Sequence, residues 1–179
     1  HVVCLFPTCE AAESFGEYVQ KNIPKIKNKP HIFGNQIVMD SEDGVLGEEE
    51  ILLTTASFIS IDETPTLVEK FGGVCFPAHI DRSSYSIISA LGTFSEELRV
   101  NCFELTPNAD ENEYFQKYPA TRGKLVLRSS DAHYLENMLL PERTLDLPEN
   151  SAEALIEFLK NGKMDFKKKG RERFCGLKL

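Results

Sequence analysis

The sequence has no run of about 18 or more apolar residues, the length that a transmembrane helix requires. Its five cysteines are scattered and none is spaced as Cys-x-x-Cys, which excludes a disulfide framework and a cysteine-rich zinc site. Cys75 and Cys102 fall inside apolar runs, where a free thiol behaves as a small hydrophobe. We therefore expect a cytoplasmic protein that does not enter a membrane.

Basic residues are in the minority, with 20 Lys and Arg against 28 Asp and Glu and a net charge of −8. A nucleic-acid-binding surface is not expected, because contacts to phosphates need clustered Lys and Arg. The exception is the segment 163–179, where seven basic residues stand against two acidic ones. Such a run is usually a solvated face, but Phe166, Phe174 and Leu177 predict that this basic tail packs on the domain.

Several catalytic signatures are also missing. The chain has no Gly-x-Ser-x-Gly segment, which argues against a serine nucleophile, and no glycine-rich loop that cradles phosphate. The segment 40–44 resembles the start of a calcium loop, but its glycine stands at the fifth position and no glutamate follows at the twelfth. We interpret it as a turn.

Short apolar runs alternate with amphipathic stretches along the chain, which favours an α/β fold with mostly parallel strands. A chain of 179 residues is ordinarily one domain, with or without an appendage. Strands are predicted at 2–6, 74–78, 99–105, 124–128 and 144–147, with a short hairpin around Asp43-Gly44. Helices are predicted at 10–21, 48–56, 63–71, 85–91, 110–118 and 151–160.

Imidazole and carboxylate groups stand where three of these strands end. His79 follows the second strand, Glu104 ends the third, and Asp131 and His133 follow the fourth. The carboxyl ends of parallel strands form the edge at which ligands and metals gather. Asp131 and His133 are two residues apart, so in extended backbone their side chains point the same way. Mixed imidazole and carboxylate ligands suit a divalent metal, and the sequence predicts a metal site at this edge.

Two of these segments resemble a known family. Phe-Pro-Ala-His-Ile-Asp-Arg at 76–82 and Ser-Ser-Asp-Ala-His at 129–133 are similar to the later metal motifs of the PHP (polymerase and histidinol phosphatase) superfamily. The start of the chain, His-Val-Val-Cys-Leu-Phe, resembles the strand on which many members place a ligand histidine. Further stretches at 28–36, 84–92 and 173–178 resemble uncharacterised bacterial members.

The resemblance implies a partial, distorted β/α barrel with mostly parallel strands and surrounding helices. It implies two or three divalent ions (zinc, manganese or iron) and hydrolysis of a small phosphate-ester substrate. Carried over position by position, the metal ligands would be His1, His79, Asp131 and His133. Glu104 matches no family ligand, and for it we consider two roles, supporting the metal ligands or being a hydrogen-bonded carboxylate at the sheet edge.

The chain also departs from the family pattern, because it lacks the His-x-His, Thr-Asp-His-like and Gly-x-Glu motifs that supply the other ligands. We therefore expect residues 1–162 to be the C-terminal part of a PHP-like domain, with the missing N-terminal half as its partner. Two functions stay open: a metal-dependent phosphoesterase, or a non-catalytic binding or regulatory module on the same scaffold. For Arg82 we consider two roles, binding the substrate phosphate or forming an ion pair with Asp81 or another acidic neighbour. For Arg128 we expect a structural role.

Overall fold

The structure of the protein is a computed structural model that describes residues 1–138 and 145–161. Contacts divide the chain into two units, one of His1–Ala12 and Ile61–Leu179 and the other of Glu13–Ser60. No helix within the described ranges is long and apolar enough to cross a membrane. The basic tail at 163–179, predicted to pack on the domain, lies outside the described residues.

The described residues contain six strands and six α-helices. The strands are β1 (Val2–Leu5), β2 (Ile37–Met39), β3 (Val45–Glu48), β4 (Val74–Pro77), β5 (Cys102–Leu105) and β6 (Leu125–Arg128). The helices are α1 (Cys9–Lys21), α2 (Pro30–Phe33), α3 (Thr64–Lys70), α4 (Ile87–Leu91), α5 (Glu111–Lys117) and α6 (Ala152–Asn161). Two 3₁₀ turns lie at Pro119–Thr121 and Leu135–Asn137.

The unit that carries the predicted metal residues contains two pairs of strands. β1 and β4 are antiparallel, with Val2 opposite Pro77, whereas β5 and β6 are parallel and joined through α5. The ends of β4 and β5 are tied together because the Ile80 N–H donates to the Glu104 carbonyl oxygen over 2.9 Å. The carboxyl ends of β4, β5 and β6 therefore lie at one edge.

Helix α6 packs over one face of these four strands. Alternate strand residues such as Val74 and Phe76 point to this face, as the two-residue period of a strand requires. Ile156 and Leu159, three positions apart on α6, meet them on the helix face that covers the strands. Leu159 is only 1% exposed, and burying an aliphatic side chain of this size stabilises a fold by about 1.5–3 kcal/mol.

The unit Glu13–Ser60 is built around an antiparallel hairpin of β2 and β3, which has an irregular register between Val38 and Met39. The carboxylate of Asp40 accepts hydrogen bonds from the backbone N–H groups of Glu42 and Gly44, at 2.9 and 2.8 Å. These bonds close the turn that the sequence predicts at this position. The hairpin itself is also confirmed.

The prediction of a β/α barrel with mostly parallel strands is wrong. The described residues form three separate two-stranded sheets, two of them antiparallel, and these strands close no barrel. Apolar runs indicate buried strands but carry no information on strand direction. The one parallel pair among the described strands, β5 and β6, is connected through the helix α5, the kind of crossover that parallel strands need.

Two element predictions also fail. Residues 48–56 form no helix; instead the Gln36 side chain bonds the backbone of this segment, donating to the carbonyl oxygens of Glu49 and Ile51 and accepting from the Leu53 N–H. These contacts hold the segment extended. The predicted strand 144–147 begins outside the described residues, and residues 145–147 form no strand. The remaining predicted helices and strands occur near their expected positions.

Candidate functional site

The antiparallel pairing of β1 with β4 brings together two of the predicted metal ligands, His1 and His79. The Ala78 N–H donates to the His1 carbonyl oxygen over 3.1 Å, which places the start of β1 beside the end of β4. As a result Nδ1 of His1 and Nε2 of His79 lie 3.3 Å apart. The exposed His1 ring also stacks on Tyr85, with 5.0 Å between the ring centroids. We call His1 and His79 the histidine pair.

The two imidazoles of the histidine pair differ in their surroundings. His79 is 4% exposed, and among the described residues nothing hydrogen-bonds to its buried Nδ1. Buried polar atoms in native proteins nearly always have a partner, and an atom without one indicates a catalytic role, an ordered water or an ion. The unpartnered nitrogen is therefore the feature that makes His79 a candidate functional residue.

Glu104 connects the histidine pair to the end of β6. Its buried carboxylate accepts the His79 backbone N–H at Oε1 over 3.3 Å and the Ser129 hydroxyl at Oε2. Each oxygen of the carboxylate therefore accepts a hydrogen bond, and these bonds offset the free-energy cost of burying the group. Glu104 fixes the backbone of His79 relative to the loop after β6 and does not itself contact an imidazole.

Arg82 and Asp131 form the second pair of predicted site residues. Nη2 of Arg82 lies 3.1 Å from Oδ2 of Asp131, and both side chains are partly exposed. Arg82 is held near His79 by a turn in which its N–H donates to the His79 carbonyl oxygen over 2.9 Å. Asp81, the other acidic partner considered for Arg82, instead accepts the N–H and hydroxyl of Thr106. Of the two roles considered for Arg82, the ion pair with an acidic neighbour is therefore present, and the neighbour is Asp131.

His133 is exposed at the beginning of the loop after β6. Its Nδ1 lies 2.9 Å from the Asp131 carbonyl oxygen, and because a carbonyl can only accept, Nδ1 carries the proton. In a neutral imidazole with this bond, Nε2 is the nitrogen that carries the lone pair. Histidines that bind metals commonly donate their other nitrogen to a carbonyl or carboxylate in this way.

The backbone of the site is strained. Four described non-glycine residues have a positive φ, and three of them lie here: His79 (30°), Tyr85 (59°) and Asp131 (50°). Each such residue costs of order 1–3 kcal/mol, and residues of this kind cluster at active sites and ligand clamps. The fourth, Asp43, lies in the hairpin turn, where this conformation is ordinary.

The nitrogen separation in the histidine pair is that of a hydrogen bond between the two rings and equally that of two ligands on one divalent metal, but the predicted ligand set is not assembled as a whole. Two nitrogens that bind one zinc ion tetrahedrally at about 2.0–2.1 Å lie about 3.3–3.4 Å apart, which matches the distance between His1 and His79. Within the described ranges, however, no three His, Cys, Asp or Glu side chains group closely enough to hold a metal ion. Asp131 is instead paired with Arg82, and the His133 ring bonds its own loop.

Tyr85 and Ser129 also lie at this site, although neither is among the residues predicted from the sequence. The Ser129 hydroxyl donates to the carboxylate of Glu104. Tyr85 follows the loop after β4, and no pattern in the sequence indicates that its ring covers His1. Arg128 has the structural role expected of it, because its Nη1 donates to the carbonyl oxygens of Thr106 and Ala109, at 2.8 and 2.9 Å.

Comparison of the chain with models of known protein families, with curated proteins and with solved structures finds no match.

Proposed function

We propose that this chain is part of a cytoplasmic metal-dependent phosphoesterase of the PHP type, with His1, His79, Asp131 and His133 as its contribution to the metal site. The observation that carries this proposal is the histidine pair, in which Nδ1 of His1 and Nε2 of His79 lie 3.3 Å apart, the separation of two nitrogen ligands on one tetrahedral ion. The resemblance of segments 76–82 and 129–133 to PHP metal motifs supports it. The other ligands would come from the N-terminal half that this resemblance implies.

Each residue of the proposed site has a role that follows from its surroundings. His1 and His79 would hold the ion, and Glu104 keeps the His79 backbone in place through its hydrogen bond to the N–H. A bound zinc, manganese or iron ion would lower the pKa of a water molecule toward neutrality and supply the nucleophile. Arg82 would bind the phosphate of the substrate, because a guanidinium matches phosphate oxygens in a bidentate way.

The ion pair between Arg82 and Asp131 connects the proposed phosphate-binding residue to a proposed metal ligand. While Asp131 faces the guanidinium, the arginine holds the carboxylate that would bind the cation. Ligation by Asp131 would therefore release Arg82 toward the substrate. Breaking this ion pair costs little, because a partly exposed ion pair contributes only about 0–1 kcal/mol to stability.

One observation favours the alternative, a non-catalytic binding or regulatory module. No three metal-binding side chains group together within 1–138 and 145–161, and Arg82 occupies the carboxylate of Asp131. In that alternative the ion pair is permanent and fixes the loop after β4 to the loop after β6. The protein would then neither retain metal nor hydrolyse phosphate esters.

Hydrolysis of p-nitrophenyl phosphate by the full-length protein, with manganese or zinc added, tests the proposal. We expect activity that falls by about 10²-fold or more in His79→Ala and Asp131→Ala, because each removes a ligand of the ion. Arg82→Gln should mainly raise KM, since it removes a phosphate contact. His31→Ala is the matched control, because His31 is an exposed histidine outside the site. Full activity in both ligand variants, or no activity in the wild type with either metal, would contradict the proposal.

A further inference from the structure

The hairpin of the unit Glu13–Ser60 exposes apolar side chains on both of its faces. Ile37, Val38 and Met39 of β2 are each 48% exposed, and Val45 and Leu46 of β3 are 68% and 69% exposed. Successive residues of a strand point to opposite faces, so neither face is buried. A two-stranded hairpin is marginally stable in water by itself and gains stability from a further strand or a packed layer. We call β2 and β3 together the hairpin surface.

The hairpin surface also has a free edge. The Glu49 N–H donates to the Gln36 carbonyl oxygen, so Gln36 faces β3, and the alternation of the backbone directs the N–H and C=O of Ile37 away from it. β2 pairs only with β3 among the described strands, so this outer edge can accept another strand.

One face of the hairpin surface is open enough to receive a side chain. Gly47 stands directly opposite Val38, and a Cβ at Gly47 would have nothing within 4 Å. The space over this glycine, beside the Val38 side chain, suits an apolar residue of an added segment.

The hairpin and the segment that contains it are acidic. Residues 30–60 contain six Asp and Glu and no Lys or Arg. Glu50 pairs with Lys27 at 3.8 Å, but Glu42, Asp43 and Glu48 form no ion pair with any Lys or Arg of the described ranges. Negative potential of this kind attracts a basic partner and repels an acidic one.

We propose that the hairpin surface docks an extended segment of a partner protein that alternates basic and apolar residues and adds a strand along β2. Backbone hydrogen bonds to the free edge would supply affinity, and apolar side chains over Val38 and Gly47 would supply specificity. Lysine or arginine side chains of the segment would face Glu42, Asp43 and Glu48. Pairing of this hairpin with the hairpin of a second copy does not fit, because the same acidic residues would then face each other.

Fluorescence anisotropy with three labelled peptides tests this proposal on the full-length protein. The probes are alternating Lys-Val, Glu-Val and Lys-Ser hexapeptides, which separate the contributions of charge and apolar contact. We expect binding of the Lys-Val peptide alone, weakening as salt is raised because the charges are screened. Equal binding of the Lys-Ser peptide, or no binding of the Lys-Val peptide, would overturn the proposal.

Two variants locate the binding on the hairpin surface. Leu46→Lys and Glu48→Lys should each weaken binding of the Lys-Val peptide about tenfold, because each introduces a repulsive charge at the surface. Leu91→Lys is the matched control, since Leu91 is a similarly exposed leucine (55%) at the end of α4. Equal weakening by Leu91→Lys would show non-specific attraction and overturn the proposal. So would a concentration-dependent dimer in sedimentation that Leu46→Lys abolishes, which would identify a second copy as the occupant.

Discussion

At the scale of single residues, His79 combines three unusual features among the residues that the structure describes. It is buried, its φ is 30°, and its Nδ1 has no hydrogen-bond partner among the described residues. A fold that needed only an apolar strand end at this position would be more stable with a different residue. The strain at His79 and at Asp131 therefore supports the hypothesis that function, and not stability, determines these residues.

The cysteines also have surroundings that predict their chemistry. Burial raises the pKa of Cys75 and of Cys102 to about 12, so neither thiol ionises at neutral pH in the native protein. Because the thiolate is the reactive form, we expect iodoacetamide at pH 8 to modify the exposed Cys9 and to leave Cys75 and Cys102 unmodified. Peptide mapping by mass spectrometry measures this. Rapid labelling of Cys102 in the folded protein would contradict the burial described here.

The same raised pKa values predict how stability changes with pH. The native state holds these thiol protons more tightly than the unfolded state, in which the pKa of a thiol is about 9. The resulting stabilisation is complete below pH 9 and is lost as the pH rises toward about 12. In urea titrations across this range, Cys102→Ala should make the free energy of unfolding less dependent on pH. An unchanged dependence would show that Cys102 does not contribute.

At the scale of elements, the sequence predicts where a strand or helix lies along the chain better than it predicts the direction in which the strands pair. β4 and β5 stand out as apolar runs and α6 as an amphipathic helix, and all three occur near where they are predicted. The antiparallel pairing of β1 with β4 could not be predicted, because residues far apart in the sequence form it. The helix predicted at 48–56 failed for a related reason, since the side chain of Gln36 holds this segment extended.

A substitution at Gly73 tests the pairing of β1 with β4. A Cβ at this position would lie 2.5 Å from the Leu5 carbonyl oxygen, which is a backbone atom that cannot turn aside. We expect Gly73→Ala to destabilise the protein by about 1–3 kcal/mol, the usual cost of overpacking. Gly16→Ala on α1, where a Cβ would have nothing within 4 Å, is the control and should be neutral or stabilising by up to about 1 kcal/mol. Equal thermal stability of the two variants would contradict the strand pairing.

At the scale of the whole molecule, four of the six site residues predicted from the sequence lie in two pairs. The histidine pair and the ion pair of Arg82 with Asp131 are both connected to the edge where β4, β5 and β6 end. The sequence could predict this edge, because each strand end carries a ligand-type residue. It could not predict that Asp131 would face a guanidinium, since that contact depends on the conformation of two loops.

Binding of a divalent metal by the histidine pair is the central claim of this account, and calorimetric titration with Zn²⁺ tests it directly. The full-length wild type and the His31→Ala control should bind the ion with the same affinity, whereas His79→Ala should bind it at least about tenfold more weakly. The loss follows because the variant removes one of two nitrogens that lie 3.3 Å apart. Unchanged zinc affinity in a folded His79→Ala protein, or no zinc binding by the wild type, would contradict the claim.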